Sequence, residues 1–513
     1  MPTTRNYLDP VIPGVHPDPS VCRVGDDFYL ITSSFEYFPG LPLFHSTDLV
    51  TWRQLGHVLT RESQLDLLTA GRSGGLYAPT IRHHDGRFYV ACTNVGGRGH
   101  FIVSTDNIAG EWSDPVWVDQ DGIDPDLFFE DGRCYFSSTV EPDVEGPHEL
   151  EPQFVRGIQQ SIIDPLTGER LTEPRFLWAG SGGSFPEAPH LYRRGKYYYL
   201  LLAEGGTEYG HMVTVARATS PSGPWQAFDD NPILTHRSMP LRVQATGHAD
   251  LVELADGSWW AVALGIRPVG TFHHLGRETF LAPVTWVDDW PIVGDGGRLP
   301  AVATAPPLPR TPGGPLPADD SFGGPVLAPC WNTVRRPLTD KEANLTERPG
   351  ALRLRGGPDT TDGQLPVMVA RRQQHLACTV RGHLDFEPVG QDEAGVTVRM
   401  DEQHHVDLAV TAGHNGRRQV SVTQRIGPVR AVLSSAVVED GPLVLRVDAT
   451  PVAFAFSVEH EGGGINLGST PTQYLSAEVA RSFTGVFFGL YATGRGTPAI
   501  APADWTRFSY IPA

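Results

Sequence analysis

The sequence predicts an all-β protein in two parts, a five-bladed β-propeller followed by a β-sandwich. Three observations carry this. The 513 residues include 56 glycines and 45 prolines, about a fifth of the chain against a usual share of roughly 12%, which disfavours long helices. One hairpin signal recurs five times before residue 300, and period-two stretches fill the chain after residue 318.

The recurring signal is a glycine turn followed by paired aromatic or similar residues: Gly25-Asp26-Asp27-Phe28-Tyr29, Gly86-Arg87-Phe88-Tyr89, Gly132-Arg133-Cys134-Tyr135, Gly195-Lys196-Tyr197-Tyr198 and Gly257-Ser258-Trp259-Trp260. A strand-like run precedes each turn and an apolar β run follows it, as a hairpin requires. The last aromatics, at 29, 89, 135, 198 and 260, lie 46 to 63 residues apart. That is mostly above the roughly 40–50 of common propeller repeats, so five units with long loops are expected. Runs ending at Trp52, Trp112 and Trp225 read as outer strands of the same unit.

The register of the repeat carries chemistry. Eleven positions before each last aromatic stand Asp18, Ala78, Asp124, Glu187 and Ala249. The first strand of a propeller unit is innermost, so equivalent positions ring the axis and three carboxyl groups are expected to face one hole. Like charges in a partly dry cavity raise some of the pKa values, as a general acid near neutral pH needs. Prolines beside the acids, in His16-Pro17-Asp18-Pro19, Asp124-Pro125-Asp126 and Glu187-Ala188-Pro189-His190, hold the strand entries rigidly. Asp126 shares a strand face with Asp124, but the register favours Asp124. Glu204 and Glu208 read as loop acids of the fourth unit. His248 is one position off register in the fifth and is expected to join the ring.

Residues 301–317, within LPAVATAPPLPRTPGGPLP starting at Leu299, read as a stiff Pro/Gly linker. It divides the chain into a catalytic propeller at 1–300 and a sandwich at 318–513. In the second part Ala351–Arg355, Gly395–Arg399 and Leu443–Asp448 alternate with period two, each a strand with one buried face.

The formal net charge of −19 repels polyanions, so nucleic acid is not an expected partner. No apolar run approaches the length that spans a bilayer. Met1-Pro2-Thr3-Thr4-Arg5-Asn6 has no apolar leader, and the expected location is cytoplasmic. Cys22, Cys92, Cys134, Cys330 and Cys378 fit neither a disulfide framework nor a zinc pattern and are expected as free, mostly buried thiols.

The motifs YLDPVIPGVHPDPSVCRVGDDFYLITSSFEYFPGLPLFHSTDLVTW, IDPDLF, PEAPHLY, GHADLVE and GRETF resemble glycoside hydrolase family 43, specifically its β-xylosidase and α-L-arabinofuranosidase members. The second part, opening DDSFGGPVLAPCWNTVR, is similar to the concanavalin-like jelly roll that follows the propeller in xylosidases of this family. The resemblance implies that Asp18 is the general base, Glu187 the general acid, and Asp124 the carboxylate that tunes and orients the acid. It implies inversion of configuration, for which two carboxyl groups stand roughly 6.5–9.5 Å apart. It further implies that Arg277 reaches the bound sugar and a site carboxylate with its forked guanidinium, that Phe35, Tyr37 and Tyr77 are platforms for a pentose ring, and that His248 binds substrate. No cofactor is implied; calcium held by His248 and water is an alternative drawn from some relatives. Thr80, where many relatives carry an acid, and Tyr77, where tryptophan is frequent, are expected to alter the pocket wall. The expected function is release of terminal xylose from xylo-oligosaccharides. The alternatives are α-L-arabinofuranosidase or bifunctional action on arabinose-substituted oligosaccharides and, outside catalysis, a carbohydrate-binding lectin. A homo-oligomer is compatible with the sequence.

Overall fold

The computed structural model describes residues 5–7, 9–140, 156–312, 319–413 and 417–513. Met1 to Thr4 of the opening, Leu8 of the first motif, 313–317 of the Pro/Gly segment and residue 318 lie outside the described residues. Regular structure is almost entirely β. Among the described residues the helical pieces are the short Thr472–Leu475 and Ala477–Ala480, and no helix is long and apolar enough to cross a membrane.

Between Ser20 and Val293 the described residues form five antiparallel sheets in a propeller-type arrangement, each built from strands that follow one another along the chain, except that in the first the short Tyr37–Phe38 is skipped and pairs elsewhere. Their first strands are Ser20–Val24, Gly75–His84, Ile123–Glu130, Glu187–Arg194 and Gln244–Glu253. Each pairs with the apolar strand beyond its turn. The turns are of three kinds. Asp85-Gly86 and Asp131-Gly132 carry positive φ at both residues, whereas in Gly25-Asp26 and Gly195-Lys196 only the leading glycine does; both patterns match the right-handed twist of a hairpin. The fifth turn is longer, from Leu254 to Ser258, because Glu253 pairs with Trp259. Trp52 and Trp225 immediately precede the strands Arg53–Leu59 and Gln226–Ala227, and Trp112 shortly precedes Val116–Trp117.

The first strand of the first sheet packs on those of the second and the fifth, so the sheets close on themselves. The N-terminal segment seals the closure. Val11 and Ile12 donate backbone N–H groups to the Thr279 carbonyl at 3.0 and 3.2 Å, and His16 donates to that of Arg277 at 2.9 Å. The Pro/Gly segment runs docked along the first sheet rather than free: Ala303–Thr304 pairs with Asn6–Tyr7, and the Thr311 hydroxyl donates to Asp48 at 2.8 Å.

Beyond Asp319 an eight-stranded sheet faces a six-stranded one across a core of valine, leucine and phenylalanine. Leu443–Ala449 alternates buried and half-buried as its sequence predicts. Gly395–Arg399 departs from expectation, because Glu393–Asp401 is buried on both faces. The six-stranded sheet is a middle layer: its outer face packs Met368, Ala370, Ala409, Phe487 and Tyr491 against Val15 and Tyr37 of the first part.

Candidate active site

A cavity of about 380 Å³ opens at the centre of the five sheets. Its wall includes Asp18, Phe35, Tyr77, Asp124, Glu187, His248 and Arg277.

A repeated backbone irregularity turns the side chains inward. Each inner strand, or the residues just ahead of it, holds a non-glycine residue in the left-handed region two residues before the ladder resumes: Asp18 (φ 55°), Ala78 (37°), Asp124 (56°), Ala188 (52°) and His248 (46°); the fifth strand holds a second, Ala245 (52°). In the second to fifth sheets the ladder register shifts at this point, and such bulges re-aim side chains. Pairing resumes two residues on, at Ser20, Thr80, Asp126, His190 and Asp250.

This alignment corrects the count made from sequence. The structural equivalents of Tyr29 are Tyr89, Tyr135, Tyr199 and Trp260, each paired with the residue four beyond the left-handed one. In the fourth sheet the glycine leads its turn as in the first, so counting must start from Tyr199, and Ala188 holds the equivalent position with Glu187 one residue earlier. In the fifth sheet the longer turn displaces the count the other way. His248 is therefore the in-register residue and Ala249 is not.

Asp18 is held from three sides. Ser33 donates its hydroxyl to Oδ2 at 2.5 Å, Arg277 Nη1 donates to Oδ1 at 2.9 Å, and His248 Nδ1 stands 3.5 Å from Oδ1. Burial alone would raise its carboxyl, but the Arg277 guanidinium and the Ser33 hydrogen bond hold it below the usual carboxylate range. Glu187 goes the other way: burial, and then the charge of Asp18, push it up to about 7. Burial, then Glu187 and Asp18, also raise Asp124, whose carboxyl accepts the Ala188 N–H. Two carboxyl groups so placed titrate jointly, and the pair retains a proton near neutral pH. Burial lowers His248 to about 4, leaving its ring neutral at pH 7.

Arg277 Nη1 also donates to Thr207 at 3.0 Å, and its guanidinium lies over the rings of Phe35 and Phe483. Tyr77 meets Phe35 edge to face and donates its hydroxyl to the Ser73 carbonyl at 2.5 Å. Tyr37 is not in the wall. It is 2% exposed and stacks on Phe487 at 4.0 Å between the two parts of the chain, because its two-residue strand pairs with Thr333–Val334. Thr80 is buried and is not among the residues that line the cavity. Glu204 is a strand residue rather than a loop acid, buried and accepting the N–H groups of Ser181 and Gly183 at 2.7 Å, whereas Glu208 does face the cavity.

Sequence reasoning missed Phe483, Thr207, Phe185 and His211 in the wall. Phe483 comes from the second part of the chain, and no local signal marks it. Its N–H donates to the Ser73 hydroxyl at 2.9 Å, while His273 bonds Glu478 at 2.7 Å, so the segment 477–483 is pinned to two rim loops.

Under the acids lies an ionic floor. Arg82 donates to Asp126 at 2.7 Å and to Asp250 at 2.8 Å, and Asp250 also accepts from Ser20 at 2.7 Å and from the Tyr192 hydroxyl. As to calcium at His248, its carboxylate neighbour is already engaged by Arg277 and Ser33. Among the described residues no group of three or more His, Cys, Asp or Glu is arranged to hold a metal ion.

Residues 7–291 match the family described as glycosyl hydrolases family 43, and 319–511 match a β-xylosidase C-terminal concanavalin A-like domain. The chain is 44% identical to a non-reducing end α-L-arabinofuranosidase of Bacteroides ovatus, covering 99% of this chain and 95% of that protein. It is 34% identical to a xylan 1,3-β-xylosidase of a Vibrio species, covering 99% of each. The crystal structure of a xylan β-1,4-xylosidase from Bacillus halodurans superposes with a TM-score of 0.92 at 35% identity, covering 98% of this chain and 99% of that one.

Proposed function

Since this chain belongs to glycosyl hydrolase family 43 and is a glycoside hydrolase, we propose that it is an inverting exo-glycosidase that releases terminal xylose from xylo-oligosaccharides. The observation that carries this is the divergence of two buried carboxyl groups at one cavity, Asp18 held low and Glu187 pushed up to about 7. Environments that separate two carboxyls assign a base and an acid. Asp18 takes a proton from water as the water oxygen attacks the anomeric carbon. Glu187 gives its proton to the glycosidic oxygen as that bond breaks, and Asp124 keeps the acid charged with a proton and oriented. Arg277 holds Asp18 ionised and reaches the sugar together with His248, while Phe35 and Tyr77 bound the ring. No cofactor enters.

Exo action rests on Phe483, which the second part of the chain sets, partly exposed, into the cavity wall. Phe483→Ala is expected to raise KM for nitrophenyl xyloside about 3- to 10-fold with kcat little changed, the worth of one aromatic contact; steady-state kinetics checks it.

A second reading, α-L-arabinofuranosidase action, is favoured by the relative 44% identical over nearly the whole chain, which carries that activity in its name. Rates on nitrophenyl β-D-xylopyranoside and α-L-arabinofuranoside decide between them, and a large excess on the furanoside selects the second. NMR of the first-formed anomer is expected to show inversion; retention removes Asp18 from its role.

The same reading takes the five sheets as five blades, the division of the chain at 301–317, and a cytoplasmic location. Five free, buried cysteines support a reducing compartment.

A further inference from the structure

We infer that a groove beside the catalytic cavity is a subsite for a carboxylate-bearing sugar, a uronic acid, carried on the leaving-group side of the oligosaccharide. The inference rests on the function proposed above. The groove, about 730 Å³, is lined by Tyr209, Arg237, Leu241, Arg242, Pro268 and Thr271 among others.

One loop forms the partition between groove and cavity. Thr207, Glu208 and His211 face the cavity, and Tyr209 and Gly210 face the groove. A chain leaving the cavity past Glu208 therefore meets Tyr209 next. The far walls are fixed before any ligand arrives. Gln244, itself buried, donates its amide to the carbonyls of Met239 and Leu241 at 2.8 Å, and His236 bonds the Val243 carbonyl at 2.9 Å, so the turn carrying Arg237 and Arg242 is pinned at both ends. Across the groove, Val269 and Phe272 close a turn by mutual backbone hydrogen bonds, and Tyr209 reaches the Thr271 carbonyl. Walls already ordered lower the entropy lost on binding.

The chemistry of these walls selects the ligand. Arg237 has Met212 Sδ at 3.2 Å, and among the described residues neither it nor Arg242 is paired with a carboxylate. Two forked guanidinium groups in one concavity match a carboxylate, and Tyr209 and Leu241, both 40% exposed, offer the apolar surface that a sugar face covers. In a protein of net charge −19 the long-range field repels an acidic ligand, so these arginines act at contact. Attachment to a substrate already seated in the cavity supplies the high local concentration that a weak contact needs.

The test compares the wild type with Arg237→Ala/Arg242→Ala and with Arg242→Glu on three probes. These are the nitrophenyl pentoside, a neutral oligosaccharide of the same pentose, and that oligosaccharide bearing glucuronic acid beyond the scissile bond. The double variant is expected to lose about 5- to 20-fold in kcat/KM on the acidic probe alone, Arg242→Glu more, with the loss shrinking in 0.3 M salt and the nitrophenyl rate unchanged. Equal losses on neutral and acidic probes, or no loss on the acidic one, overturn the inference. Free glucuronate that inhibits the wild type at millimolar concentration but not the double variant would identify a site for free anions instead, and also overturns it. Failure of the wild type on every nitrophenyl pentoside would sink the proposed function. Calorimetric titration of the acidic against the neutral oligosaccharide into wild type and double variant would then still decide the groove.

Discussion

Glu187→Gln is expected to lower kcat/KM on an unactivated disaccharide by about 10²- to 10⁴-fold, the usual contribution of one positioned proton donor. The amide keeps the volume and one hydrogen bond but has no proton to give. The loss should depend on the leaving group. A nitrophenolate departs with little help, so the same variant should lose much less on the nitrophenyl glycoside than on the disaccharide. The pH profile gives an independent readout. In the wild type kcat/KM should fall as pH rises through about 7, because Glu187 must be protonated and its carboxyl sits there. It should also fall at low pH, below the usual carboxylate range, as Asp18 takes up a proton. In Glu187→Gln the alkaline limb should vanish and the acid limb remain. Equal losses on both leaving groups with the alkaline limb intact would remove Glu187 from proton transfer. The joint titration with Asp124 makes a further demand: Asp124→Asn should move the alkaline limb downward, since a neutral neighbour no longer opposes the ionisation of Glu187.

How much of this site was legible in the sequence follows from what repeats. Asp18 and Asp124 stand in true register with Ala78, and counting from a turn aromatic found them because in these three hairpins that aromatic stands three residues beyond a two-residue turn. Glu187 was found with the count one residue out. Its hairpin has three consecutive tyrosines, 197 to 199, and only the pairing shows that Tyr199 is the equivalent one. His248 looked off register for the opposite reason, a five-residue turn that a glycine-to-aromatic spacing does not reveal. Turn chemistry thus limits how far a repeat can be read without coordinates.

The residues that no pattern revealed are those placed by long-range docking. Phe483 lies in a segment of its own, more than two hundred residues from any other wall residue in sequence, and reaches the cavity only because Ser482, Phe483 and Glu478 bond the rims of the second and fifth sheets. Tyr37 shows the converse. Its neighbour Phe35 sits at φ 52° and turns into the cavity, whereas Tyr37 is drawn into a strand pair with the second part of the chain. Period-two reading failed at Gly395–Arg399 for a related reason, since a middle layer buries both faces and the signature of one exposed face no longer applies.

Arg82→Met is expected to destabilise the first part by about 3–5 kcal/mol, the range for removing one partner of a buried charge pair, and to lower its thermal midpoint by about 10 °C. The arginine answers two carboxylates at once. Asp126 and Asp250 have side chains 1% and 0% exposed, and Arg82 bridges them at 2.7 and 2.8 Å. Methionine fills much of the same volume, so the effect isolates charge from packing. Burial opposes the ionised form of Asp250, but Arg82 outweighs it and holds the carboxyl far below its ordinary value. A depressed folded-state pKa contributes stability that is present above the unfolded value, near 4, and is lost as pH falls through the folded one. In the variant the buried carboxyls take up protons instead, so the gap in melting temperature between wild type and variant should be widest at pH 7 and should narrow toward pH 4. Arg82→Lys should recover only part of it, because one ammonium cannot span both carboxylates as the guanidinium fork does. The floor lies directly beneath the acids: Asp126 is two residues beyond Asp124, and Asp250 two beyond His248. Variants that stay folded at 25 °C should therefore also lose kcat. A melting gap that does not vary with pH, or full recovery by lysine, would show that the floor acts through packing rather than charge.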